Sequence, residues 1–454
     1  MVEHIKKYKF FYLFVYISIW TAMASTPMNE VFSFPKVAAQ AFSLLLYVPF
    51  LVMVLWKLIS DLKCLKLHFT NIVYYLFAAY YVVLSGYRLL THSEVKEGIY
   101  YTIVLLGAFA LFLQIRDERT KLSPELFHKN VAMIAFYMIG LKLVISFLEG
   151  NVFSLAPINN LYSTSMLVML LPFLFAGLRD NTGKKEFLYW MAFLLSVALI
   201  LICSSRAITL LAFGILGVLF LFTLRSFHTA VKYVSAIICA CLLVTVLATC
   251  NVGLVRRSLY RELSVMWPSS SGTTGVYRYD ELTDEPIPDD VQMQTNIDSQ
   301  VDRSDSMRSE LQNRGFTEFK KNPLFGTGDL YYTYDMGYKT MEQTAHNFIL
   351  ECLVCYGIVG TAAIIVMLVS MLAQCGMLRK FTLRELPNRV FLVLVMLHYF
   401  ALGWVQPSVF NTLLCPLFAL LLAYYGRLIL PKPASACAKS ISLLPGRKET
   451  QIEE

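Results

Sequence analysis

Four arginines and one histidine are set apart from the rest of this sequence by where they fall. Arg206 follows Ser204-Ser205 at the end of an apolar run, in "CSSRAITLL". Arg303, Arg308 and Arg314 come shortly before Asn322-Pro323, and His346 opens the next apolar run. A guanidinium stays charged at any relevant pH, and its planar fork can grip a phosphate bidentately. An imidazole with an unperturbed pKa of about 6.5 suits a general base. Carboxylates offer less. Asp302 and Asp305 are the nearest approach to a metal pair in this region, but they stand three apart in an acidic stretch and read as solvated loop. Cys352 and Cys355 form a CxxC with no second pair nearby, so apolar packing explains them better than zinc or redox chemistry.

The elements that must position these residues are membrane helices. Apolar residues make up 57% of the 454 positions and charged residues 15%, well below the quarter or so that a solvated surface requires. The charges cluster, which leaves apolar runs long enough to cross about 30 Å of hydrocarbon. Within lipid such runs must pair their own backbone groups, so they are helices. Twelve spans are predicted, at 10–26, 37–57, 69–90, 98–115, 130–148, 161–178, 187–204, 207–224, 230–250, 347–374, 389–406 and 411–428. Basic clusters precede the first span and follow every even-numbered span up to the tenth, for example Lys57, Lys63 and Lys66, or Arg379, Lys380 and Arg384. By the positive-inside rule both termini are cytoplasmic. The formal charge of +8 is thereby a topology signal, spread over short loops, and excludes nucleic acid as a partner. Ala22-Met23-Ala24 resembles a signal-peptidase site but fits an uncleaved first helix better.

The fold expected is an all-α polytopic membrane protein with one large extracytoplasmic loop between the ninth and tenth spans. Residues 1–250 hold nine helices, 251–345 the loop, 346–430 three helices, and 431–454 a basic cytoplasmic tail lying against anionic lipid heads. The loop has about 15 acidic residues against about 10 basic ones and no cysteine, so no disulfide framework holds it. Its first half, 251–300, is rich in turn formers and like charges and reads as mobile. In the second half, apolar residues from Met307 to Lys320 recur loosely at helical spacing, which predicts an amphipathic helix on the membrane surface. Asn322-Pro323 ends it, Gly326-Thr327-Gly328 makes a turn, and Thr344 is placed to cap the next helix.

Two stretches resemble the O-antigen ligase and polymerase superfamily of membrane glycosyltransferases. One is "MRSELQNRGFTEFKKNPLFGTGDLYY", with Arg308, Asn322, Pro323, Gly326 and Gly328; the other is "AHNFILECLVCYGIVG", with His346, Asn347, Leu350, Gly357 and Gly360. Ser205-Arg206 is a third, weaker element. Together they cover roughly 200–375. The resemblance implies a GT-C-like, multi-pass inner-membrane enzyme that takes a glycan from an undecaprenyl-diphosphate carrier at the periplasmic face. The acceptor it implies is lipid A-core for a ligase, or another lipid-linked repeat unit for a polymerase, and no cofactor, nucleotide sugar or metal is implied.

On that reading Arg206 and Arg308 meet the charge developing on the diphosphate, with Arg303 and Arg314 as further phosphate holders on the helix surface. Arg206 by parity lies on the outer side, against the positive-inside bias. His346 takes a proton from the acceptor hydroxyl, and attack from the opposite face inverts the anomeric centre. Asn322, Pro323, Gly326, Gly328 and Asn347 shape the motif. Glu351 could orient the imidazole, although five residues on is a poor helical match. Gly357 and Gly360 read as close helix packing. Arg88 and Glu94 also lie outside by topology and could touch donor or acceptor. A transporter or flippase is the alternative. It would place ionisable residues or broken helices at the midplane in two matching halves, whereas the spans hold few mid-span charges and no internal repeat.

Overall fold

The computed structural model describes residues 9–23, 35–64, 69–91, 97–117, 124–148, 160–202, 206–249, 297–328, 332–335, 340–377, 386–405 and 414–429. Among these are thirteen helices: α1 (Lys9–Met23), α2 (Lys36–Cys64), α3 (Phe69–Thr91), α4 (Glu97–Asp117), α5 (Pro124–Leu148), α6 (Asn160–Asp180), α7 (Lys184–Ile202), α8 (Arg206–Thr223), α9 (Phe227–Thr249), α10 (Ile297–Lys321), α11 (Phe348–Gln374), α12 (Leu386–Val405) and α13 (Leu414–Ile429). Each of the twelve apolar runs coincides with a helix, and α10 is the helix of the loop. Seven helices, α2, α3, α5, α7, α9, α11 and α12, are long and apolar enough to cross a membrane, and α1, α4, α8 and α13 are apolar over shorter stretches. The chain is a multi-pass α-helical membrane protein. The acidic first half of the loop up to 296, Glu94, Ala24 and the basic tail lie outside the described residues.

Helix α6 forms the centre of the bundle. Every described residue from Thr164 to Leu178 is buried, packed among α5, α7, α8 and α12. Helices α2, α3 and α9 form part of the perimeter and turn large apolar side chains outward, among them Trp56, Leu76, Val83 and Leu242. A lipid-facing surface needs just such side chains. A polar network is buried where α2, α3, α4 and α11 meet. Lys57 pairs with Asp61 at 2.8 Å, Asn71 Nδ2 and the Tyr75 hydroxyl donate to the same carboxylate, and Arg116 donates to Asn71 Oδ1 at 2.7 Å and Gln374 Oε1 at 2.6 Å. Gln374 bonds Thr70, whose hydroxyl also meets Ser370. Asp61 and Arg116 each have several polar partners there, as ionic groups out of water require.

The folded part of the loop differs from expectation in three ways. Helix α10 begins at Ile297, ten residues before Met307, so part of the acidic stretch is helical. The loop also contains a sheet: β1 (Tyr332–Asp335) pairs antiparallel with β2 (Thr340–Gln343), Tyr332 opposite Gln343 and Asp335 opposite Thr340. Tyr332 and Tyr334 are therefore strand residues, a role that suits aromatics. Finally, the cap of α11 is Asn347, whose side chain accepts from the N–H groups of Ile349 and Leu350 at 3.1 Å. Thr344 instead accepts from the N–H of His346 at 3.4 Å, because the helix starts later than expected.

Candidate active site

The site is assembled around a break in α11. At Gly357 the backbone leaves helical geometry, with φ 66 and ψ −171. In an unbroken helix Ile358 and Val359 would donate to Val354 and Cys355. Here they donate to the carbonyls of Pro323 at 2.9 Å and Leu324 at 3.3 Å, in the turn after α10. The displaced acceptors are also satisfied. Val354 C=O takes the N–H groups of Thr327 at 2.7 Å and Gly328 at 3.2 Å, Cys355 C=O takes Arg88 Nη2 at 2.7 Å, and Tyr356 C=O takes the Tyr80 hydroxyl at 2.8 Å. A buried backbone group left without a partner costs several kcal/mol in hydrocarbon, so this exchange is what permits the break.

The turn residues are the ones the exchange requires. Lys321 ends α10, and Asn322 closes a tight turn through its carbonyl to Gly326 N–H at 2.8 Å. Gly326 has φ 72, and a Cβ there would lie 2.4 Å from Val354 O and 2.6 Å from Gly357 N. At Gly357 a Cβ would lie 2.2 Å from Leu324 O. Turn and break thus meet backbone to backbone, which neither position allows with a side chain. Gly357 was read as a packing glycine; its role is to break the helix. Gly360 does serve close packing, since its Cβ would approach Tyr80 Cε1 to 3.0 Å.

Arg88, near the end of α3, fastens turn and break together. Besides Cys355 C=O, its Nη2 donates to the carbonyls of Phe325 and Gly326, both at 3.0 Å. It is buried and lies against Gly328. Its partners in the structure are backbone carbonyls, where the sequence suggested donor or acceptor. The bonds Thr70–Ser370, Tyr80–Tyr356 and Arg88–Cys355 in succession show α3 and α11 running antiparallel.

Above the break, α10 packs on the start of α11. Leu311, Ala345, Leu350 and Val354 form a small apolar cluster with Phe319, and Gly315 sits against Ala345 and Leu350. Arg308 precedes Leu311 by three residues and Gly315 by seven, on the stripe of α10 that faces this cluster. Its side chain is exposed, so charge is presented to solvent from a helix that is anchored one turn away. Arg314 is off that stripe, exposed, and paired with Glu310 at 2.5 Å. Arg303 lies on α10 and Arg206 is the first residue of α8, but their side chains are outside the described residues. The main packing partners of α8 are α6, α7, α9 and α12.

His346 is half-buried and has φ 50, the only positive φ among described non-glycine residues. Such a backbone is uncommon for a side chain with a Cβ and collects at functional sites. Glu351 lies one turn into α11 and is buried, 1% exposed. The Thr344 hydroxyl and the N–H groups of Asn347 and His346 are its polar neighbours, although neither carboxylate oxygen closes a hydrogen bond of full geometry with a described residue. It therefore lies under the backbone that carries His346. Among the described residues no three His, Cys, Asp or Glu side chains group as metal ligands.

Residues 190–365, from within α7 to beyond the break in α11, match the family model described as O-antigen ligase. Over that stretch the chain is similar to the O-antigen ligase family. The match takes in Arg206, α10, the turn, His346 and Gly357. Among curated proteins none matches the chain. What the sequence missed in this stretch, the break and its fastening by Arg88, had one signal: two glycine-bearing motifs about thirty residues apart whose backbones must meet.

Proposed function

We propose that the chain transfers a glycan from an undecaprenyl-diphosphate carrier, at the periplasmic face of the inner membrane, to lipid A-core or to another lipid-linked repeat unit. Twelve spans with both termini cytoplasmic put α10, the turn and the start of α11 on that face. The acceptor hydroxyl oxygen attacks the anomeric carbon opposite the leaving group, and its proton passes to the imidazole of His346. The bond from the anomeric carbon to the diphosphate oxygen breaks, and the polyprenyl diphosphate leaves with the electron pair. Arg308 and Arg206 meet the charge that develops there, supported by Arg303 and Arg314, and no metal takes part. The anomeric configuration inverts.

One observation carries this reading. Helix α10 and the start of α11 are locked together through the turn and the Leu311 cluster, with an exposed arginine on one and a strained histidine at the head of the other. A general base and a phosphate cation must hold a constant spacing, and this arrangement can supply it. The break in α11 does not favour a transporter. A transporter's half-helices turn freed backbone groups toward a substrate cavity, whereas here the turn, Arg88 and Tyr80 take them.

Gene deletion followed by gel analysis of the envelope polysaccharide tests the proposal. Loss of polymer from lipid A-core with accumulation of lipid-linked polymer identifies a ligase, and a core bearing a single repeat unit identifies a polymerase. An unchanged polysaccharide profile overturns the reading.

A further inference from the structure

We infer that Arg88 is a positioning residue for transfer: it holds the 322–328 turn in the break of α11 and so sets the place of His346 and Arg308. The inference rests on the roles proposed above for those two residues. Arg88 belongs to α3, far from the loop in sequence, and is 6% exposed. A single nitrogen, Nη2, shares its two hydrogens among three carbonyls from two segments: Phe325 and Gly326 in the turn and Cys355 in α11. A Cβ on Gly328 would lie 2.7 Å from its Nη1, so the turn is fitted around the guanidinium.

Among the described residues, four backbone bonds also join turn and helix: Thr327 and Gly328 to Val354, Ile358 to Pro323 and Val359 to Leu324. Three carbonyl dipoles converge on one point, and without a cation there they repel one another and lose their donor. The turn then withdraws, α10 loses its lower anchor, and Arg308 and His346 lose their common frame. A displacement of about 1 Å at a reacting group can cost roughly a hundredfold in rate.

Two variants test this in purified full-length protein. Arg88→Met keeps the reach and removes the donors. Arg88→Lys offers one nitrogen with three N–H groups. Per folded molecule, Arg88→Met should lower kcat at least about tenfold with KM within about threefold, since the bound substrate is not touched. Amide hydrogen exchange at Thr327, Gly328, Ile358 and Val359 should quicken at least about tenfold. Arg88→Lys should recover most of both effects, unlike a lysine at a bidentate phosphate site. Undiminished kcat per folded molecule in Arg88→Met, or a Lys variant that stays inactive while its amides remain protected, overturns the inference. If wild-type protein transfers no glycan, the proposed function fails, and amide protection alone decides whether Arg88 holds the turn.

Discussion

Replacing Gly357 by alanine puts a methyl group where the break accepts the turn. The φ 66, ψ −171 backbone lies in a region essentially reserved for glycine, so another residue there costs about 1–3 kcal/mol. The added Cβ would lie 2.2 Å from Leu324 O, 2.3 Å from Leu324 C and 2.4 Å from Phe325 N. These are backbone atoms and cannot rotate away. The turn must retreat, which removes the bonds from Ile358 to Pro323 and from Val359 to Leu324, each worth about 0.5–1.5 kcal/mol net. Together the terms oppose docking by about 2–6 kcal/mol. Glycan transfer at matched membrane levels should fall by more than about tenfold, with faster amide exchange over 326–328. Gly86→Ala is the control, since no heavy atom lies within 4 Å of the new methyl. It should stay within about 0.5 kcal/mol of wild type. Near-normal transfer by Gly357→Ala with the 326–328 amides still protected would refute the account of the break.

Reporter fusions after Asp61, Asp117, Asp180 and Lys380 should read cytoplasm, and those near Asn159 and Gly275 the outside; a cytoplasmic signal at Gly275 inverts the topology and removes the site from the periplasm. Transfer by purified protein should persist in chelator, and activity lost there and restored by magnesium or manganese would show that carboxylates hold a metal. Asp61→Ala takes the carboxylate away from the buried Lys57 ammonium and should lower thermal stability by about 3–5 kcal/mol, whereas Lys185→Ala removes one partner of an exposed pair with Glu125 and should cost less than about 1 kcal/mol. Equal melting temperatures for these two variants would contradict the role given to the buried network.

Much of the fold was legible because lipid imposes one answer on a long apolar run. Spans such as 187–204 and 347–374 could only be helices, and helices lie there. The end of α10 was legible for an equally local reason, since Asn322-Pro323 cannot continue a helix. What escaped depends on backbone groups meeting over long separations. Gly357 lies in an apolar stretch that scores as unbroken helix, and its left-handed backbone is stable only because Pro323 and Leu324 supply acceptors from another element. From sequence Arg88 is an outward-lying residue that could touch donor or acceptor, because three carbonyls from two distant segments leave no trace in sequence spacing. The hairpin around Tyr332 and Thr340 is four residues a side, too short for its alternation to stand out. Of the proposed catalytic residues, His346 and Arg308 were found from a motif and a spacing, and the structure adds what surrounds them: Asn347 capping α11, Glu351 beneath the backbone of His346, and Leu311 against Ala345.

The most direct test of the central claim is glycan transfer by His346→Ala, Arg308→Ala and Arg308→Lys at matched membrane levels. Loss of a general base should lower transfer by about 10²–10⁴-fold in His346→Ala while the protein still inserts, since Asn347 keeps the helix cap. Arg308→Ala should be similarly severe, Arg308→Lys should recover only part because an ammonium lacks the bidentate fork, and Arg314→Ala, which breaks only an exposed pair with Glu310, should transfer nearly as wild type. Near-normal transfer by both His346→Ala and Arg308→Ala would contradict the account.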